Sequence, residues 1–318
     1  MTDESSFRRV AVIGGGVMGT GIAQVLSLAG VDVAVHDPDA GVRASLPQRL
    51  ADLYGAYDLP HPATEGMVSA HATLASAVGE AELVIEAGPE RLDLKREIFA
   101  EAERLTPPET VLASNTSSIP IRELASDLAN PGRLLGLHFW NPPALVRLVE
   151  VISAPATDPA IASRMLAALQ AIGMTAVAVA HDVPGFVGNR LQHALKREAI
   201  ALVAAGVCSA ETVDLVVREG FGGRLGIVGP LEQSDLSGTD LTLAIHEVLM
   251  PSLDNTPVAH PYLVDMVARG DLGARTGRGF RTWAPGEAER RRAEIAAGLV
   301  RMARQRKARQ GNEGGDGL

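Results

Sequence analysis

A glycine-rich turn near the start of the chain constrains the fold more than any other feature. Residues 14–19 read Gly-Gly-Gly-Val-Met-Gly and follow an apolar run, Val-Ala-Val-Ile at 10–13, that is typical of a buried strand. After the turn, apolar residues at Met18, Ile22 and Leu26 share one face of a helix. A strand, a Gly-x-Gly-x-x-Gly turn and an amphipathic helix in this order predict the first βαβ unit of a parallel sheet.

Each glycine of this motif has a separate physical role. Gly14 permits the tight turn, Gly16 lets the backbone approach a pyrophosphate, and Gly19 lets the helix pack close to the strand. Free N–H groups at the helix N-terminus add a partial positive charge that favours phosphates. We therefore expect a dinucleotide here, with Val17 and Met18 among the residues that bind it. The competing interpretation is a turn built for packing alone.

Asp37 indicates which dinucleotide the turn binds. It closes a second predicted strand at 31–35, and a carboxylate there accepts hydrogen bonds from the ribose hydroxyls and repels a 2′-phosphate. NAD is therefore expected as the cofactor. One alternative is a plain surface aspartate in a turn before Pro38, and the nearby Arg43 leaves NADP open as another.

The first half of the chain alternates strand and helix patterns. Short apolar runs that predict further strands lie at 31–35, 83–85, 111–113, 134–137 and 149–152. A helical pattern at 93–104 separates two of them. Strands spaced by helices predict an α/β fold with a Rossmann-type, doubly wound, mainly parallel sheet covered on both faces.

Strand patterns end near residues 182–184, and helical spacing follows. A long helix is predicted from Val187 through Leu202, and further helices are predicted at 209–219, 239–249 and 258–269. We therefore expect an NAD-binding domain at 1–183 and an all-α domain at 184–318. The latter ends in an arginine-rich helix at 287–309 and a frayed tail at 311–318.

Composition and charge argue against several classes of protein. The 318 residues are 46% hydrophobic and 21% charged, which is a globular composition. The net charge of −9 is the opposite of what nucleic-acid binding favours, and a solvated helix face is the favoured interpretation of the basic helix. No apolar run approaches the roughly 18 residues of a membrane span, and residues 1–9 show no signal-peptide pattern. A soluble, cytoplasmic protein is expected.

Neither a metal site nor a disulfide is expected. The single cysteine, Cys208, excludes an intrachain disulfide and a cysteine-based metal site. His246 and Glu247 begin like the His-Glu-x-x-His motif of zinc enzymes, but Met250 occupies the place of the second histidine.

Polar side chains follow two of the predicted strands. The segment 114–118 reads Ser-Asn-Thr-Ser-Ser, His138 ends the run at 134–137, and Glu150 lies within the next strand. Ligands bind outside the carboxyl ends of such strands, and a turn between neighbouring strands can bring His138 and Glu150 together. A histidine can take the hydroxyl proton as hydride leaves the same carbon, and a carboxylate partner fixes its tautomer. The alternative is a satisfied core histidine beside a structural glutamate.

The chain resembles the L-3-hydroxyacyl-CoA dehydrogenase family over about residues 8–283. The resemblance rests on Val-Ile-Gly-Gly-Gly-Val-Met-Gly-Thr-Gly-Ile-Ala at 12–23, Leu-Val-Ile-Glu-Ala-Gly-Pro-Glu at 83–90, Ser-Asn-Thr-Ser-Ser at 114–118, Gly-Leu-His-Phe-Trp-Asn-Pro at 136–142, Leu-Val-Glu-Val at 148–151, Pro-Gly-Phe-Val-Gly-Asn-Arg at 184–190, Gly-Pro-Leu-Glu at 229–232 and Thr-Gly-Arg-Gly-Phe at 276–280. Single motifs are weak, but their order and spacing together are specific.

The resemblance implies roles for the matching positions. His138 is the implied general base in oxidation and Glu150 its orienting partner, while Ser117 and Asn189 are implied partners of the substrate's oxygen and carbonyl. The residues implied to lie near the nicotinamide half of NAD are Glu90, Lys95, Asn115 and Asn141. The family also implies a helical C-terminal domain that forms a homodimer contact.

The implied reaction is NAD-dependent oxidation of an L-3-hydroxyacyl-CoA, which is part of fatty acid metabolism. Two departures leave the substrate open: the region 41–59 has arginines but no lysine for CoA, and Gly88 replaces a usual β-branched residue. Family members related to lambda-crystallin that oxidise L-gulonate, and those that oxidise carnitine, act on free hydroxy acids. A free 3-hydroxy acid is therefore the alternative substrate, and a dinucleotide-binding protein without turnover is a third interpretation.

Overall fold

The computed structural model describes residues 7–57, 59 and 67–313, with side chains as far as residue 305. The chain divides into two compact units. We call the first, within Met1–Asn189 and Glu294–Leu318, the sheet unit, and the second, Arg190–Ala293, the helical unit. The predicted domain boundary after residue 183 lies just before this division and stays a prediction.

One eight-stranded sheet forms the centre of the sheet unit. Its strands are β1 (Arg9–Ile13), β2 (Asp32–His36), β3 (Val68–His71), β4 (Leu83–Glu86), β5 (Val111–Ser114), β6 (Leu134–Phe139), β7 (Leu148–Ile152) and β8 (Thr175–Val179). They are ordered β3-β2-β1-β4-β5-β6-β7-β8, and every neighbouring pair is parallel except β6 and β7. The predicted Rossmann-type, mainly parallel sheet is confirmed.

Helices cover both faces of this sheet. They are α1 (Val17–Leu28), α2 (Ala40–Ala56), α3 (Leu74–Val78), α4 (Leu92–Leu105), α5 (Ile121–Leu124) and α6 (Pro159–Ala171). Successive side chains of a strand point to opposite faces, so Val10 and Val12 join one apolar cluster while Ala11 and Ile13 join the other. The first cluster includes side chains of α1, α2 and α6, and the second includes side chains of α3, α4 and α5.

The sequence patterns did not identify β3 and β8, the two edge strands of the sheet. β3 contains polar residues, and most side chains of both strands are exposed or half-buried. β3 lacks the continuous apolar run that marked the central strands, whereas β8 has one at 176–179 that the sequence reasoning did not select.

The helical unit has the all-α character that the sequence predicts. A long helix, α7 (Gly188–Ala204), enters it from the sheet unit, and a π-helical turn (Val217–Gly222) and a 3-10 turn (Met250–Ser252) interrupt the helices that follow. These are α8 (Ala210–Val216), α9 (Gly223–Leu225), α10 (Pro230–Ser237), α11 (Thr239–Leu249) and α12 (Pro261–Ala268). The last helix, α13 (Glu287–Glu313), begins in this unit, and its residues from Glu294 onward belong to the sheet unit.

The last helix, α13, is longer than the sequence patterns indicated. It continues to Glu313, so residues 311–313 are helical instead of part of the predicted tail, while 314–318 lie outside the described residues. Arginine is a good helix former, and the arginine-rich segment extends the helix past Gly311. In the described part of the chain, no helix combines the length and apolarity needed to cross a membrane.

Candidate active site

Two of the three motif glycines are required by the protein's own packing. Gly14 has a φ of 100°, in the left-handed region that favours glycine, and a Cβ there would lie 2.9 Å from the carbonyl carbon of Ala87. A Cβ on Gly19 would lie 1.8 Å from the carbonyl oxygen of Gly14. The close approach of α1 to β1 therefore depends on both residues.

Gly16 is required by no such contact. It is the N-cap residue of α1, its φ is −68°, and no atom lies within 4 Å of a Cβ built on it. Val17 and Met18 form the first turn of α1, where backbone N–H groups lack helical partners. Open space beside free N–H groups fits the pyrophosphate of NAD.

Gly16→Ala is expected to leave the thermal midpoint of unfolding unchanged and to raise the Kd for NAD by at least about 10-fold, because the methyl group occupies the phosphate space. Calorimetric titration with NAD measures this. Gly55→Ala is the matched control, since a Cβ on Gly55 also meets no atom within 4 Å and lies in α2. Wild-type NAD affinity in Gly16→Ala would show that the open space has no part in binding.

Asp37 lies beside the glycine turn, just after β2. Its Oδ2 accepts a hydrogen bond from the Gly15 N–H at 2.8 Å, and its Oδ1 accepts one from the Asp39 N–H at 2.9 Å. The Arg43 guanidinium donates to the backbone oxygens of Asp37 and Pro38 at 2.7 and 2.8 Å. The carboxylate thus lies directly beside the glycine turn, and its ribose-binding role stays a prediction.

His138 and Glu150 form a buried pair. They are direct cross-strand partners in the antiparallel β6–β7 ladder, which places both side chains on one face of the sheet. His138 Nδ1 lies 2.7 Å from Glu150 Oε2, and the two residues are 4% and 1% exposed. An ionised carboxylate only accepts hydrogen bonds, so Nδ1 carries a proton, and in the neutral form of the ring Nε2 has the lone pair that a general base needs.

Glu150 also holds the start of α7. Its second oxygen, Oε1, accepts hydrogen bonds from the N–H groups of Val187 and Gly188 at 3.0 and 3.1 Å. Burial acts to raise the pKa of Glu150, but the hydrogen bonds from His138, Gly188 and Val187 outweigh it and hold the pKa below its ordinary value. The carboxylate is therefore ionised at neutral pH, as the histidine tautomer requires.

Two aromatic residues surround the imidazole, and the sequence reasoning assigned neither a role. The ring centroids of Trp140 and Phe186 lie 5.4 and 5.8 Å from that of His138. Phe186 is fully buried with a φ of 50°, a strained conformation that surrounding structure must support. Gly188 is close to Trp140, since a Cβ on it would lie 2.2 Å from Trp140 Cζ2. The only sequence signal was their position inside quoted family motifs.

Ser117 and Asn189 are brought together. The Asn189 side-chain amide donates to the backbone oxygen of Ser117 at 2.9 Å. Ser117 lies in the exposed segment after β5, and Asn189 lies in the first turn of α7. Glu150, the partner of His138, also accepts hydrogen bonds from the start of α7. It therefore fixes the helix terminus that carries Asn189.

The two other asparagines differ in their surroundings. Asn115 is buried, and its Oδ1 accepts a hydrogen bond from the Phe139 N–H at 2.9 Å, which ties the end of β5 to the end of β6. Asn141 is exposed, three residues after His138. Their proximity to nicotinamide stays a prediction.

Glu90 and Lys95 lie together at the end of β4 and the start of α4. Lys95 Nζ is 3.5 Å from Glu90 Oε2 and 2.7 Å from Oε1 of Glu86, a buried residue that the sequence reasoning did not select. Glu86 was visible only as part of the family motif at 83–90. The described residues contain no group of three or more His, Cys, Asp or Glu side chains that could hold a metal ion.

Comparison with known protein families gives two adjoining matches. Residues 9–183 match the model described as 3-hydroxyacyl-CoA dehydrogenase, NAD binding domain. Residues 185–283 match the model described as 3-hydroxyacyl-CoA dehydrogenase, C-terminal domain. The NAD-binding model covers the glycine turn, Asp37 and the His138–Glu150 pair.

Curated proteins similar to this chain act on different substrates. A 5-formyl-3-hydroxy-2-methylpyridine 4-carboxylate 5-dehydrogenase of Mesorhizobium japonicum is 34% identical over 93% of this chain and 97% of its own. A probable 3-hydroxybutyryl-CoA dehydrogenase of Bacillus subtilis is 38% identical over 86% of this chain and 96% of its own. An L-carnitine dehydrogenase of Streptomyces griseus is 35% identical over 85% of this chain and 84% of its own.

A solved structure is similar over nearly the whole chain. It is the crystal structure of a 5-formyl-3-hydroxy-2-methylpyridine 4-carboxylic acid 5-dehydrogenase, described as an NAD+-dependent dismutase. The TM-score is 0.88 at 31% identity, covering 93% of this chain and 97% of the other.

Proposed function

Because this chain belongs to the 3-hydroxyacyl-CoA dehydrogenase family, a family of NAD-dependent enzymes that act on CH–OH groups, we propose that it oxidises an L-3-hydroxyacyl-CoA reversibly to the 3-oxoacyl-CoA. Such a reaction belongs to fatty acid metabolism. The observation that carries the proposal is the buried His138–Glu150 pair at the carboxyl edge of an NAD-binding sheet. It places an imidazole where a hydroxyl must lose its proton.

The residues divide the reaction between them. His138 Nε2 takes the hydroxyl proton while Glu150 holds Nδ1–H and stabilises the imidazolium that forms. NAD, when bound, accepts the hydride that leaves the same carbon. Ser117 donates to the substrate's oxygen and Asn189 to its carbonyl, a division supported by the hydrogen bond that places these two residues side by side.

A free hydroxy acid is the second candidate substrate, and the contacts of α2 favour it. The helix carries two basic residues, Arg43 and Arg49. Arg43 donates to the backbone oxygens of residues 37 and 38, which precede the helix, and Arg49 donates to that of residue 42 within it. Neither guanidinium is fully available to the phosphates of CoA. The similarity to an L-carnitine dehydrogenase and to a pyridine carboxylate dehydrogenase supports the same alternative.

A substrate panel followed by NADH absorbance separates the candidates. It contains acetoacetyl-CoA, L-carnitine, L-gulonate and 5-formyl-3-hydroxy-2-methylpyridine 4-carboxylate. We expect the largest kcat/KM with acetoacetyl-CoA. A larger kcat/KM for a free acid would show that the enzyme oxidises that acid by the same mechanism. Binding of NAD without turnover of any member of the panel would contradict the enzyme proposal.

We also infer a homodimer formed through the helical unit. None of the residues of α7, α8, α10 and α11 is buried, although these helices carry many apolar side chains. Leu231, Leu236 and Leu243 are 81%, 77% and 61% exposed. Apolar helix faces that are this exposed are normally buried against another apolar surface. The same faces of a second copy of the chain provide such a surface.

Sedimentation equilibrium is expected to give twice the 33.3 kDa chain mass at micromolar concentration. Leu236→Asp with Leu243→Asp should raise the dimer dissociation constant by at least about 100-fold, because each leucine contributes about 1.5–3 kcal/mol when buried. Glu101→Lys, an exposed change on α4 of the sheet unit, is the control. A wild-type chain that sediments as a monomer would exclude the dimer.

A further inference from the structure

A second buried carboxylate lies at the end of β4, and the reaction steps above do not use it. Glu86 is 0% exposed, and four hydrogen bonds reach its carboxylate: two from Lys95 Nζ at 2.7 and 2.8 Å, one from Ser114 Oγ at 2.8 Å and one from the Gly88 N–H at 2.7 Å. A buried charge is costly unless it is paired in this way. Glu86 therefore anchors the ends of β4 and β5 to the side chain of Lys95.

Carboxylates and one backbone oxygen hold Lys95. Its ammonium group has three N–H donors. Four acceptors among the described residues surround it: both oxygens of Glu86, the backbone oxygen of Gly88 at 3.3 Å and Glu90 Oε2 at 3.5 Å. The side chain is 1% exposed, so the ammonium group and its carboxylate partners lie within the protein.

Glu90 gathers the turn that follows β5. Its Oε1 accepts from Thr116 Oγ1 at 2.6 Å, from the N–H groups of Ser117 and Ser118 at 3.0 Å each, and from Ser118 Oγ at 2.9 Å. Burial acts to raise the pKa of Glu90. The hydrogen bond from Thr116, the charge of Lys95 and the hydrogen bonds from residues 118 and 117 outweigh burial and hold the pKa below its ordinary value. The carboxylate thus stays ionised and holds three consecutive residues.

We propose that Glu86, Lys95 and Glu90 form a clasp that positions Ser117 for the substrate, with Glu86 as its buried anchor. The inference rests on the proposed function, in which Ser117 donates to the substrate's oxygen. It gives Glu90 and Lys95 a positioning role in addition to the cofactor contacts that the family resemblance implies. The outer end of the clasp is the turn that Asn189 also contacts.

The charges of the clasp explain why Glu86 affects a distant serine. One ammonium is shared between two carboxylates, and it lies closer to Glu86, at 2.7 Å, than to Glu90, at 3.5 Å. Loss of the Glu86 charge leaves Glu90 as the remaining carboxylate partner of Lys95. The ammonium then draws the Glu90 carboxylate away from the N–H groups of residues 117 and 118.

The first test is a double-mutant cycle on kcat, using the panel substrate that the wild type turns over. Glu86→Gln is expected to lower kcat by at least about 10-fold in the wild-type background, but by less than about 2-fold in Ser117→Ala, because the two residues act through one contact. NADH affinity, from fluorescence titration, should change by less than about 3-fold. Glu97→Gln, an exposed change on α4, is the control.

The second test needs no substrate and so separates the clasp from the proposed function. Amide hydrogen exchange of residues 116–118 is expected to be at least about 10-fold faster in both Glu86→Gln and Glu90→Gln. If Glu86→Gln does not fold, Glu86→Asp is used; its shorter side chain moves the carboxylate away from Lys95, so a smaller increase in exchange in the same direction is expected. Unchanged exchange, additive losses of kcat, or a rise in NADH Kd of about 10-fold or more would overturn the clasp.

Discussion

His138→Ala is expected to lower kcat by about 10²–10⁴-fold while the affinity for NAD stays within about 2-fold of wild type. In the proposed mechanism the buried imidazole is the base that takes the hydroxyl proton, and its partner Glu150 at 2.7 Å only accepts hydrogen bonds. Without Nε2, the proton must pass to water as the hydride leaves. The glycine turn and Asp37 are unchanged by the substitution, so cofactor binding is preserved.

The measurement is steady-state turnover with the preferred panel substrate, together with calorimetric titration of NAD. His181→Ala is the matched control, because His181 is exposed and outside the pair. Near-normal turnover in His138→Ala would remove this residue from the mechanism. A loss of NAD binding equal to the loss of kcat would mean that the substitution disrupts the sheet edge instead.

Glu150→Gln is expected to lower kcat by about 10²–10⁴-fold and to destabilise the protein by about 1–3 kcal/mol. Both carboxylate oxygens accept: Oε2 from His138, and Oε1 from the N–H groups of Val187 and Gly188. A glutamine has one acceptor oxygen. Its NH2 group must face either His138, which forces the other tautomer, or two backbone N–H groups, which are then left unsatisfied.

The pH dependence of unfolding gives a second readout for Glu150. The pKa of this carboxyl is lowered in the folded protein, so its ionised form contributes stability above its ordinary value of 4.5, and this contribution is lost as the pH falls through the folded pKa. The free energy of unfolding, measured with a chemical denaturant, should therefore fall more on acidification for wild type than for Glu150→Gln. Glu101→Gln is the control for general charge effects. If the free energies of unfolding of wild type and Glu150→Gln changed in parallel with pH, and the variant turned over like wild type, Glu150 would be dispensable.

The central strands and the glycine turn could be predicted because each of their sequence patterns is typical of one local structure. The continuous apolar run at Val10–Ile13 requires burial on both sheet faces, and the turn after it requires glycines. The edge strand β3 carries no such run, whereas the edge strand β8 has one at 176–179 that the sequence reasoning did not select. The end of α13 depends on helix propensity alone, which does not fix a boundary.

The candidate site was predictable in part. The strand patterns indicated that His138 and Glu150 can meet, but their direct opposition depends on β7 running antiparallel to β6, which the spacing alone does not fix. Glu86 and Phe186 depend on tertiary structure altogether: a buried glutamate is identified by the lysine that reaches it, and a strained phenylalanine by its backbone angle. Neither signal exists in a single sequence.

Chemical rescue of His138→Ala by imidazole tests the central claim most directly. The substitution empties a buried site beside Glu150, and free imidazole placed there presents a nitrogen base to the substrate. The reaction is followed in the oxidation direction, from L-3-hydroxybutyryl-CoA and NAD, which reverses the reduction of acetoacetyl-CoA. We predict that NADH formation in His138→Ala rises by at least about 10-fold with added imidazole, while wild type does not respond. A variant whose NADH formation is unchanged by imidazole, or which already turns over like wild type, would contradict the assignment of His138 as the base.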